Sequence, residues 1–125
     1  MYYDIKETEL DDYGQNKNIL FHIKDIDIMN VCGFRHLTST KEWYFCESMG
    51  ENISINITIS DDNEKGKIDV LDDLFFQPYD FQEFIMRLKN NAPKKALYVQ
   101  KELYQIMDSF KTFGIIEGWE WGDYI

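Results

Sequence analysis

This chain holds few cysteines, prolines and histidines. It has two cysteines, Cys32 and Cys46, and two prolines, Pro78 and Pro93, in 125 residues. Two thiols do not make a disulfide framework for a domain of this size. The expected state is a pair of reduced, partly buried thiols in a cytoplasmic protein; a Cys32–Cys46 bridge would require their strands to pair. No run of about 18 apolar residues is present, which excludes a membrane-spanning helix. The opening MYYDIKETEL has neither the basic region nor the apolar run of a secretory signal. His22 and His36 are the only histidines and no C-x-x-C spacing occurs, so a zinc site lacks its ligands. There is no G-x-S-x-G, no phosphate-cradling glycine loop and no H-E-x-x-H. A Cys–His nucleophilic pair could be drawn from Cys32 or Cys46 with His22 or His36. Any chain with two of each residue offers as much, so structural histidines and buried thiols are the better reading. The expectation is a non-enzyme without cofactor or metal.

Positive charge is scarce as well, and its deficit is local. Residues 1–80 contain 17 Asp and Glu against 7 Lys and Arg, whereas residues 81–125 contain 6 of each. The entire net charge of −10 therefore falls in the first two-thirds of the chain. Such a field opposes compaction through like-charge repulsion. It also repels nucleic acid and anionic membranes and accelerates encounter with basic partners. Hydrophobic residues make up 44% of the chain and aromatics 16%, too many of both for a disordered acidic tail. One domain over residues 1–125, with a true core, is expected.

The clearest element is a strand. Ile53, Ile55, Ile57 and Ile59 alternate with Ser54, Asn56, Thr58 and Ser60, one face apolar and the other small and polar. Asp61 to Gly66 is the expected turn and Lys67 to Leu71 the returning strand. Trp43 to Cys46 forms an earlier strand closed at Met49-Gly50. Residues 2–9 suggest a short strand. Between Ile19 and Ile28 the parity fails, since Phe21 and Ile23 face one way and Ile26 and Ile28 the other; a bulged strand reconciles them. Helices follow. Asp80 is the expected N-cap for a helix carrying Phe81, Phe84, Ile85 and Leu88 and ending at Asn90-Asn91. Pro93 opens a longer one with Ala96, Val99, Leu103, Ile106, Met107 and Phe110 on its apolar stripe and Gly114 at its end. The alternation after Ile115 suggests a last strand or hairpin. Strands followed by helices imply an α+β fold: an antiparallel sheet of about five or six strands, two helices from the C-terminal half packed on one face, and a final strand at the C-terminus.

Asp61, Asn63, Gly66, Ile68, Asp69 and Asp72 match part of a calcium loop. Lys65 at a ligand position, Asp72 in place of the bidentate Glu, and a strand rather than a helix in front favour an acidic hairpin turn. Adjacent carboxylates such as Asp11/Asp12 and Asp72/Asp73 point to opposite faces in a strand and make no acid–base dyad. Two stretches suit an interface with an aromatic centre and a charged rim. The first is Asp61, Asp62, Glu64, Asp69, Asp72 and Asp73, followed by Leu74, Phe75, Phe76 and Tyr79; at least two of Leu74, Phe75 and Phe76 are expected to enter the core. The second is Glu117, Trp119, Glu120, Trp121, Asp123 and Tyr124, where two tryptophans share one face of a strand.

In size, acidity and aromatic richness the whole chain resembles bacterial immunity proteins that neutralise cognate toxins, including those of contact-dependent growth inhibition systems. The resemblance is one of profile, without a signature motif. It implies a cytoplasmic inhibitor whose acidic residues and exposed aromatics contact a basic protein toxin, a nuclease being the natural case because its active site must be cationic. The alternatives are a nucleic-acid mimic that inhibits a defence nuclease, with carboxylates spaced like phosphates, and a small non-catalytic adaptor subunit.

Overall fold

A computed structural model describes residues 19–118. The expected strand at residues 2–9, the Asp11/Asp12 pair and Trp119, Glu120, Trp121, Asp123 and Tyr124 lie outside these described residues.

The isoleucine strand organises the rest. It is β4 (Ile53–Ser60), the third of five strands in an antiparallel sheet ordered β2-β3-β4-β5-β6, with β2 Arg35–Leu37, β3 Glu42–Gly50, β5 Gly66–Asp72 and β6 Gln77–Pro78. Ile53, Ile55, Ile57 and Ile59 are fully buried. Directly opposite them lie Phe45 and Trp43 on β3 and Val70 and Ile68 on β5. Directly paired residues share a sheet face, so this register makes one continuous apolar surface. Each fully buried isoleucine contributes roughly 1.5–3 kcal/mol.

Helices cover that surface. Asp80 caps α2 (Phe81–Leu88), its carboxylate accepting the Glu83 N–H at 3.1 Å. A 3-10 turn over Lys89–Asn91 replaces the helix end expected at Asn90-Asn91. Pro93 then precedes α3 (Lys94–Thr112), and Gly114 at φ +79° follows its last turn. Ala96, Val99, Leu103, Met107 and Phe110 are buried as the spacing predicts, and Gln100 and Tyr104 widen the buried stripe. Phe110 reaches the sheet, its ring centroid 5.2 Å from Phe45 and 5.1 Å from Phe34. These residues belong to one core cluster with the isoleucines, an α+β arrangement.

The parity break between Ile19 and Ile28 has a different cause from the expected bulge. Leu20–Phe21 form a short strand, β1, and Ile26–Val31 form a helix, α1. Asp25 is its N-cap, accepting the Ile28 N–H at 2.9 Å. A capping aspartate at the point where period two fails is a helix start rather than a register flip. β1 pairs antiparallel with β7 (Ile116–Glu117), the last strand of the described residues. Pro78 sits in β6 at the sheet edge, where a missing N–H is tolerated.

Gly66, at the start of β5, lies under the Phe21 ring. A Cβ there would overlap the Cγ, Cδ2 and Cε2 atoms of that ring. Phe21 is buried, so its ring has little freedom to move aside. Gly66→Ala is therefore expected to destabilise the protein by about 1–3 kcal/mol, as measured by urea unfolding.

Candidate functional site

The loops fall at two opposite ends of the sheet, and the acidic residues divide between them. At one end, Gly50 pairs with Ile53 across Glu51-Asn52, both at positive φ (51° and 65°), the geometry of a tight type I′ hairpin. Beside it is the β5–β6 loop, residues 73–76. The Asp73 N–H donates to the Asn52 carbonyl at 2.7 Å and joins the two. At the other end the β4–β5 turn packs by the β2–β3 turn, where the Asp61 N–H donates to the Lys41 carbonyl at 3.0 Å. The seven residues of β5 hold the ends about 20 Å apart.

Asp72, Asp73 and Tyr79 belong to the first end. Asp61, Asp62 and Glu64 belong to the second, while Asp69 lies between them on β5. Most of these carboxylates already bind within the chain. Asp61 meets His36 Nε2 at 2.6 Å, and Glu64 accepts the Ile23 N–H at 2.7 Å. Asp69 lies 3.6 Å from the Lys67 ammonium. Asp72 accepts the Leu74 and Phe75 N–H groups at 3.0 and 3.3 Å. Asp73 accepts from the Ser54 hydroxyl at 2.8 Å. Glu117, on β7, meets His22 Nε2 at 2.6 Å.

The Ser54–Asp73 bond ends a polar chain on the sheet face opposite the isoleucines. The Tyr44 hydroxyl donates to Asn56 Oδ1 at 2.6 Å, and Asn56 Nδ2 donates to the Ser54 hydroxyl at 2.9 Å. Partial burial pushes the Tyr44 hydroxyl up to about 12, aided by neighbouring Cys46 and the Asp73 charge.

Leu74, Phe75 and Phe76 are the main correction to the sequence reading. None enters the core. Their relative exposures are 60%, 67% and 90%. Their strand alternation stops at Asp72, whose carboxylate ties the Leu74 and Phe75 amides into a turn that leaves all three side chains outside the core. Phe76 has φ +53°. That left-handed backbone costs a bulky residue roughly 1–2 kcal/mol and suits glycine far better. Tyr79, by contrast, is half-buried, its ring packed 5.5 Å from Phe84 with the Lys95 ammonium 5.4 Å from its centroid. Burial raises its hydroxyl pKa, and the charges of Glu51 and Asp72 raise it further. Glu51 thus belongs to the loop cluster. It stands apart from Asp72 in sequence, but the pairings Gly50↔Ile53 and Ile53↔Asp72 bring them to one end.

The positions of the calcium-like spacing do not converge. Asp61 is bonded to His36, Asn63 accepts the Lys65 N–H at 3.0 Å, and Asp72 is at the far end. Among the described residues no group of three or more His, Cys, Asp or Glu is placed to hold a metal ion. Both cysteines are free: Cys32 caps the end of α1, and Cys46 is exposed on β3. No helix of the described residues is long and apolar enough to cross a membrane. The chain matches no protein-family model, no curated protein and no solved structure.

One carboxylate on the isoleucine face has a buried oxygen. Glu47 sits opposite Ile55 on the isoleucine side, and its Oε2 is buried without a hydrogen-bond partner. Burial raises its pKa, and the nearby Glu102 charge raises it further. The fold therefore favours the protonated acid. The stability this group supplies is complete below the ordinary glutamate range and is lost as the pH rises through the elevated value. Glu47→Gln is expected to raise the Tm at neutral pH, and the gain should vanish in acid, where both side chains are neutral. Equal Tm values for the two proteins at neutral pH would show that the carboxylate is solvated instead.

Proposed function

We propose that this protein is an inhibitor of the immunity type, a cytoplasmic non-enzyme that neutralises a basic protein toxin, a nuclease being the natural case. The observation that carries this reading is the exposed Leu74-Phe75-Phe76 loop, set between the carboxylates of Glu51, Asp72 and Asp73. Three consecutive large apolar side chains facing water suit an interface centre, and the surrounding acids suit its rim. The net charge of −10 speeds encounter with a cationic surface and disfavours nucleic acid or an anionic membrane as the target.

The nucleic-acid-mimic alternative is less well supported. A mimic needs free carboxylates in a phosphate-like series. Here Asp61, Glu64, Asp69, Asp72 and Asp73 each have a partner within the chain; Asp61 and Glu64 lie at one end of the sheet, Asp72 and Asp73 at the other, and Asp69 between them.

The direct test is co-expression with the product of the adjacent gene. A one-to-one complex that protects cells from that product is the expected result, and a folded chain that neither binds nor protects overturns the reading. Charge reversal at Asp61, Asp72 and Asp73 would break internal hydrogen bonds, so the electrostatic contribution is better probed with asparagine, which still accepts them. The variant carrying Asp→Asn at 61, 62, 72 and 73 is expected to keep its Tm within a few degrees. It should associate about tenfold more slowly at low salt and show a flatter salt dependence. Unchanged rates at every salt concentration would remove these groups from the interface.

A further inference from the structure

We propose that Phe76 is a pre-set anchor that enters an apolar pocket with a cationic rim on a protein partner. The proposal rests on the inhibitor reading and names the chemistry its target must offer. Phe76 is the most exposed large apolar side chain among the described residues, at 90%, and it stands at φ +53°. The turn itself would be served better by glycine, so the ring is not there for the sake of the fold. The loop that presents it is tied down on three sides. Asp72 holds the Leu74 and Phe75 amides, the Asp73 N–H is bonded to Asn52, and Asp72↔Gln77 closes the hairpin. The backbone that presents the ring is held this way, so little loop ordering remains to be done on binding.

Charge decides the kind of pocket. The carboxylates of Glu51, Asp72 and Asp73 stand about the loop, so the pocket must carry Lys or Arg at its mouth. A bare phosphate-binding groove offers cations but nothing to hold a phenyl ring. Contact through Phe76 therefore places the inhibitor on an apolar cleft, beside a cationic site rather than inside it as a substrate mimic.

The test uses an amphipathic helical peptide of leucine and lysine as the probe, titrated into the isotope-labelled chain and followed by NMR. The expected result is a set of shifts centred on residues 73–77, with affinity reduced about tenfold in Phe76→Gly. That variant keeps every carboxylate, and its Tm should hold or rise. Equal binding by Phe76→Gly, shifts confined to residues 61–65, or a lowered Tm would each overturn the anchor. Binding to phosphatidylglycerol vesicles instead of the peptide would do the same by showing a lipid-facing loop. The two readings fail separately. Equal peptide binding by Phe76→Gly with neutralisation intact ends the anchor alone. Absence of any complex with the adjacent gene product, with the peptide result as expected, ends the inhibitor reading and leaves the anchor chemistry standing.

Discussion

The alternation of β4 is the constraint on which the rest of the structure depends. Its isoleucines can be buried only if β3 and β5 pair with it in one register, because a slip of one residue would turn all four to the other face. That register sets Trp43, Phe45, Ile68 and Val70 beside them and gives α3 a surface to cover. It also fixes what collects at each end of the sheet. Glu51, Asp72 and the exposed loop meet because Ile53 pairs with Asp72, and Asp61 reaches His36 because the opposite turns adjoin.

Elements with a strong period were legible from sequence. β4, β5 and α3 follow directly from alternation and helical spacing, and Asp80 identifies the start of α2 through its side-chain chemistry. The helix at Ile26–Val31 was missed because six residues are too few to show a period, and only the Asp25 cap betrays it. The loop at 74–76 was misjudged for a related reason. Three adjacent apolar residues resemble a buried strand end, and hydropathy cannot reveal that Asp72 captures the Leu74 and Phe75 amides and turns the chain outward. The candidate acids were legible as residue types. Their division between two ends, and the presence of Glu51 beside Asp72, become visible only when the strand register is drawn.

Within the described residues the carboxylates serve two purposes at once. Asp25, Asp72 and Asp80 close turns and caps, Asp61 and Glu64 bind the segments around β1 and β2, and Asp73 completes the polar chain from Tyr44. These bonds recover part of what like-charge repulsion costs. An acidic surface of this kind is therefore more than a coating for solubility. Much of it is woven into the backbone of the loops, so its negative charge is held at defined places.

The pairing of β1 with β7 has a kinetic side. His22 and Glu117, bonded at 2.6 Å, are separated by 95 positions, so this small sheet closes a loop that encloses nearly every other described element. Closing so long a loop is entropically costly when the chain is open and nearly free once the central sheet has formed. The two-residue strands are thus a late clasp in folding. They are also the natural point of first opening, where backbone amides exchange with solvent while the isoleucine strand remains shut.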